Sequence, residues 1–149
     1  MASKVTGFRE TARALRKVAA FPKKAVSGAS RKALNPMLAA SKANLKSNRS
    51  YHRGVLFRSM KVRQLKSTSA LSEWVVSATG RGVGISHLVE FGTAPHWQPK
   101  RGRMHPGAKP YPFLTPAYEA HDDQAVQTLV KELGQGMVNY AAQVAFRGK

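Results

Sequence analysis

Between Val126 and Val144 the chain repeats one pattern that leaves little freedom of fold. Val126, Leu129, Val130, Leu133, Met137, Tyr140, Ala141 and Val144 follow one another at spacings of three and four. On a helix of 3.6 residues per turn they form a single apolar stripe. Pro116 suits a first helical turn, with Thr115 before it as N-cap. Glu119, Asp122 and Asp123 crowd the positive end of the helix dipole, and Arg147 and Lys149 follow its negative end. A long C-terminal helix is therefore predicted, and its stripe must be covered. The stripe is longer than a small sheet needs, so part of it is expected to face a neighbouring subunit.

The remaining elements are shorter. Residues 4–19 predict a helix with Phe8, Ala12, Leu15, Val18 and Ala19 on one face and Arg9, Arg13, Arg16 and Lys17 elsewhere. Phe21-Pro22 ends it, because proline disfavours helical geometry in the residue before it. A second helix is expected from about Lys23 to Leu34, interrupted or bent at Asn35-Pro36 and resumed by Met37, Leu38, Ala40, Ala43 and Leu45. Residues 47–54 read as a turn-rich linker. Alternating Met60, Lys61, Val62 and Arg63 predict a half-buried strand over 58–65, and 72–79 a second, joined through the turn at 67–69 as a hairpin. GRGVG (80–84) reads as a flexible glycine turn, and ISHLVEF (85–91) as one or two helical turns stopped by Gly92. Residues 92–112 hold five prolines, three glycines and four Lys/Arg. They read as a long basic loop, and loops of that length carry function or lack order. At 149 residues the whole, 1–149, fits one domain with a basic helical N-terminal region at 1–50.

Charge is the strongest compositional signal. The net charge is +18, with 25 Lys/Arg against seven Asp/Glu, and no acid lies between Thr11 and Ser72. Such a chain suits nucleic acid, an acidic protein or an anionic membrane surface, and charge alone does not choose among them. The absence of cysteine excludes disulfides, zinc fingers and thiolate chemistry. No apolar run approaches the ~20 residues of a membrane span, and the first residues lack a signal-peptide core. The expectation is a soluble chain that remains in the cell that makes it.

Against this scarcity of acids, Glu90 stands between Val89 and Phe91. It could be a catalytic carboxylate, half of a metal site with His87, or a structural anchor. Acid–base hydrolysis usually pairs two carboxylates, or a carboxylate with a histidine, and nothing in the sequence brings Glu73 to Glu90. His87 and Glu90 are two ligands without a companion motif. His96 and His105 lie at no recognised metal spacing. GRGVG lacks the pattern of a phosphate-binding loop. A carboxylate in apolar surroundings is costly unless paired, so an anchor is favoured, held by an arginine or by backbone N–H groups at the glycine turn. Phe91 is expected in the core and Gly92 in a conformation that a Cβ resists. WQPKRGRMH (97–105) interleaves an aromatic with cations, as single-stranded nucleic acid binders do; a basic loop docking on acidic protein is the equal alternative. Trp97, Lys100, Arg101, Arg103 and Lys109 are the candidate contact residues.

Two blocks then carry a resemblance. Glu90-Phe91-Gly92-Thr93, and Pro112-Phe113-Leu114-Thr115-Pro116-Ala117 after a variable loop, resemble the paired signature of a tailed-phage neck family typified by gene product ten of the HK-ninety-seven phage. Residues 53–60 (RGVLFRSM) resemble the segment that precedes the first strand in that family. Ser86-His87 departs from its usual Tyr-Ala, and the variable loop is unusually basic. The resemblance covers roughly residues 8–145.

It implies an α+β fold, with a small antiparallel sheet packed against a long C-terminal helix and N-terminal helices alongside. It also implies a structural virion protein of the head–tail junction, present in the host cytoplasm during assembly. Such a subunit forms a ring, expected to be hexameric, between the head-completion or connector protein and the tail-terminator or tail-tube protein. It implies no enzymatic activity, no cofactor and no membrane. The ring could also contact DNA in the channel. A tail-terminator subunit is the alternative within the resemblance, and a nucleic-acid-binding protein, suggested by charge alone, is the alternative outside it.

Overall fold

A computed structural model of the protein describes residues 23–47, 54–67 and 72–146. The helix expected at 4–19, most of the 47–54 linker, the hairpin turn and the C-terminal cations lie outside the described residues. The elements are α1 (Lys23–Ser47), α2 (Val55–Ser59), β1 (Met60–Ser67), β2 (Ser72–Ala78), α3 (Val83–Phe91), β3 (His96–Gln98), β4 (Arg103–His105), α4 (Thr115–Glu119) and α5 (Asp122–Phe146). Short 3-10 turns occupy 80–82 and 99–101. The fold is α+β, with two separate two-stranded antiparallel sheets.

The central element is α1. Ala29, Ala33, Met37, Ser41 and Leu45 recur every four residues and are all buried. That seam runs unbroken past Pro36, so the expected interruption at Asn35-Pro36 does not occur. Proline removes one helical hydrogen bond and crowds the preceding turn, yet the helix continues through it, with the seam buried on both sides. Ser41, fully buried, satisfies its hydroxyl by donating to the Leu38 carbonyl at 2.9 Å.

The β1–β2 hairpin lies against α1 and turns Met60, Val76 and Ala78 into the core. Met60 pairs with Ala78 and Val62 with Val76, while the register slips between Gln64 and Lys66 and leaves Leu65 exposed. Leu45, Leu56, Phe113 and Ala117 complete the centre, with Phe113 only 1% exposed.

The predicted C-terminal helix is present in two pieces. Thr115 opens α4 as its first residue rather than its N-cap, and Ala120-His121 separates α4 from α5. Asn44 on α1 donates to the Phe113 carbonyl, and Lys32, a dozen residues earlier, pairs with Glu132 at 2.7 Å. From 113 to 132 the chain thus runs back along α1. Leu129 and Leu133 are only half-buried, whereas Val126 and Val130 are more than 60% exposed. The stripe of α5 is wider than α1 covers.

GRGVG divides between a turn and a helix. Gly80–Gly82 form the 3-10 turn that leads straight into α3, which includes Gly84. Likewise, residues 92–112 are not an unstructured loop, because they contain the β3–β4 hairpin.

Candidate interaction site

The site begins with the local chemistry of Glu90. Its side chain leaves the last turn of α3 and is 7% exposed. One carboxylate oxygen, Oε2, accepts the backbone N–H of Phe113 at 2.9 Å and of Leu114 at 3.0 Å. The other, Oε1, accepts the Thr115 N–H at 2.8 Å and its hydroxyl at 2.6 Å. These N–H groups stand at the opening of α4, where a helix has donors without partners. No side chain of the α4 cap residue serves them. Glu90 caps α4 from a distance of more than twenty residues in sequence.

Burial alone would raise the pKa of this carboxyl, and it is the largest single influence. The Phe113 N–H, the Thr115 hydroxyl and the Leu114 and Thr115 N–H groups together outweigh it, holding the pKa below the usual carboxylate range. The carboxylate takes four donors on its two oxygens. Its partners are neither an arginine nor the glycine turn: they are the backbone and the Thr115 hydroxyl of the second sequence block.

The two blocks are stitched together further. Tyr111 N–H donates to the Val89 carbonyl at 2.8 Å. Thr93 and Ala108 exchange backbone hydrogen bonds of 2.9 and 3.0 Å. Gly92 lies at φ 71°, where a Cβ would stand 2.5 Å from the Ala108 carbonyl oxygen. Gly107, at φ 85°, would press a Cβ on the Thr93 carbonyl oxygen. Both glycines permit an approach that no side chain allows.

Phe91 departs from expectation. It is 75% exposed, because the turn of α3 that buries Glu90 points the next residue about 100° away. Ile85 and Leu88 are exposed on the same helix, so α3 carries an apolar outer face ending in Phe91. Of the motif residues, Glu90 and Phe113 are buried; Gly92, Thr93 and Leu114 are half-buried; Pro112 and Pro116 are exposed.

From this clamped base projects the β3–β4 hairpin. His96 faces His105, Trp97 faces Met104 and Gln98 faces Arg103. Side chains alternate across a strand, so Trp97 and Met104 share one face and the histidines the other. Trp97 and Met104 are 56% and 59% exposed. Lys100 and Arg101 form the turn, and Gly102 closes it at φ 58°. Four of the five expected contact residues, Trp97, Lys100, Arg101 and Arg103, are thereby gathered on one projection. Lys109 lies beyond the Thr93–Ala108 bridge, at the base. No acid occurs between Glu90 and Glu119 in sequence, so nothing within the segment itself neutralises the projection's charge.

Sequence reasoning missed two partners here. Met104 doubles the apolar surface of Trp97, and the imidazoles of His96 and His105 stack at 5.0 Å. His105 Nδ1 accepts the Gly107 N–H, and His96 Nδ1 meets the Ala94 carbonyl. The available signal was PKRG (99–102), with proline early and glycine last in a tight turn. A second cationic surface was also missed: Lys42 and Lys46 of α1 stand 5.3 and 5.1 Å from the Phe57 ring centroid.

Among the described residues, no three His, Asp or Glu side chains come together as a metal site needs, and no helix is long and apolar enough to cross a membrane. Comparison with known proteins gives no match to a family model, a curated protein or a solved structure.

Proposed function

We propose that this chain is a structural subunit of a tailed-phage neck, a tail-completion protein that joins head to tail as a ring. The observation that carries the reading is the Glu90 clamp. The two blocks on which the family resemblance rests are one physical unit, with the carboxylate of the first capping the helix opened by the second. The acid is fully engaged in holding backbone, which suits a scaffold rather than a catalyst.

Two surfaces support assembly. Ile85, Leu88 and Phe91 form an apolar face on α3 suited to a neighbouring subunit, and a ring follows when such head-to-tail contacts close. Six copies match the sixfold symmetry expected of the tail. The cationic hairpin, with Trp97 and Met104 as apolar contacts, suits an acidic connector or tail protein, where complementary potentials steer docking.

The test is a lysate in which this chain is not made. Filled heads and finished tails should accumulate apart, and purified protein added to the lysate should join them. Joined particles in its absence, or this chain located on the capsid shell, would refute the reading. A second reading rests on the same hairpin: its exposed tryptophan among lysine and arginine also suits nucleic acid. That role requires tight binding of DNA by the isolated protein, weakening steeply with salt.

A further inference from the structure

The side of α5 turned away from α1 carries a feature that the fold does not use. Glu132 reaches across to Lys32 of α1, and Gly134, two residues on, lies about 200° further round the helix. Gly134 falls at the midpoint of this helix of 25 residues and is exposed. Its backbone is helical, and a Cβ added there would meet nothing within 4 Å. Neither space nor conformation within the chain calls for glycine, the poorest residue after proline for a helix interior. Around it stand Val130, Met137, Val138 and Ala141, all exposed. Val130 and Val138 are 66% and 65% exposed. The same stretch is uncharged. From Leu133 to Phe146 run fourteen residues without Lys, Arg, Asp or Glu, the longest such run in a chain of net charge +18.

We propose that this face of α5 pairs with the same face of a second copy, the two helices antiparallel and crossing at Gly134. A glycine with no role in its own chain is what such a crossing needs, because two backbones approach closely where a Cβ is missing. The flanking valines, methionine and alanine then interdigitate as ridges into grooves. A twofold contact is self-complementary. With Gly134 on the axis, Val130 of one copy meets the partner's Val138, and the reverse.

Charge selects both the occupant and the direction. An acidic protein or a nucleic acid would find no cation from Leu133 to Phe146, whereas two copies meet there without the repulsion that their net charge imposes elsewhere. Asp122 and Asp123 open the helix, and Arg147 and Lys149 follow it in the sequence. Opposite directions set the acids of each copy towards the basic end of the other sequence. Parallel helices would set like against like. The pairing uses a surface other than α3 and does not depend on the neck reading.

The test uses the full chain carrying Phe91→Ala, so that the α3 contact of the proposed ring does not enter the measurement. Sedimentation equilibrium should show a monomer–dimer equilibrium. Adding Gly134→Leu should leave circular dichroism unchanged and weaken dimerisation by about tenfold or more, since a side chain at the crossing holds the backbones apart. A chain that is monomeric at every concentration, or a dimer indifferent to Gly134→Leu, would overturn the proposal. Register is read by cross-linking, because the chain has no native cysteine. Val130→Cys and Val138→Cys chains, one of them carrying a size tag, are mixed and treated with a short bis-maleimide. Each should link to the other in preference to its own kind. Val130→Cys linking chiefly to itself would mean parallel helices and would equally overturn it.

Discussion

The base and the tip of the 92–112 segment are a few residues apart and obey opposite rules. At the base, Gly92, Thr93, Gly107 and Ala108 bring two backbones together, and Glu90 binds the strand that leaves. At the tip, Trp97, Lys100, Arg101, Arg103 and Met104 point into solvent on a hairpin of three-residue strands. The base spends glycine and one buried acid on rigidity. The tip keeps its large and charged groups where the fold has no use for them. A projection can serve as a contact surface only if its root is fixed, and the contrast shows how a proline- and glycine-rich stretch supplies both.

Substitutions should separate the two regions, and the largest effect belongs at the base. Glu90→Ala removes the acceptor for three backbone N–H groups and a hydroxyl. Leaving such donors without partners costs ~1–3 kcal/mol each where water cannot reach them. The expected loss is about 3 kcal/mol in urea unfolding, since partly buried donors recover some hydration. A loss below about 0.5 kcal/mol, the range of ordinary surface changes, would break the comparison.

Gly92→Ala should follow. The new Cβ must accept φ 71° and meets the Ala108 carbonyl oxygen and the Pro110 nitrogen at 2.5 and 2.8 Å. Backbone strain of this kind costs ~1–3 kcal/mol, so a thermal melt should show clear destabilisation. Gly102→Ala, at the tip, has open space around its Cβ and should cost only the left-handed strain. Equal losses at both positions would mean that the base is no tighter than the tip.

Acid should act on the base through the same carboxylate. The folded pKa of Glu90 is lowered, because its hydrogen bonds overcome the opposing effect of burial. The clamp's contribution is thus fully present above the unfolded glutamate pKa of about 4.3 and is lost as pH falls through the lower folded value. Stability measured from about pH 6 to about pH 3 should fall less steeply for Glu90→Gln than for the native chain. Parallel slopes would show that the clamp does not titrate.

Smallest in stability are the changes at exposed positions. Replacing Lys100, Arg101 and Arg103 together with serine should alter unfolding by no more than ~0.5 kcal/mol, while, on the proposed neck function, joining of heads to tails in vitro fails. If joining survives and DNA retention or passage fails instead, nucleic acid is the hairpin's partner. Phe91→Ala should be similarly neutral for folding, since the ring is 75% exposed. If the chain forms the proposed ring, the effect of this substitution is expected in subunit association, measured by sedimentation. A large folding defect from Phe91→Ala would return that ring to the core.

The sequence by itself determined the elements whose signals are local. The periodicity of 126–144 specified α5, the alternation of Met60 and Val62 specified β1, and Gly92 marked the end of α3. The rarity of acids also singled out Glu90 as a group that folding had to satisfy. Only the tertiary structure decided its partners, because the N–H groups of Phe113, Leu114 and Thr115 come from a segment more than twenty residues away. Tertiary packing likewise carried α1 through Pro36: the buried seam outweighs a local preference that reads as a break. It also turned Phe91 outward. Hydrophobicity says that a ring gains by burial, but once the backbone geometry of α3 commits Glu90 inward, its immediate neighbour has to face another way.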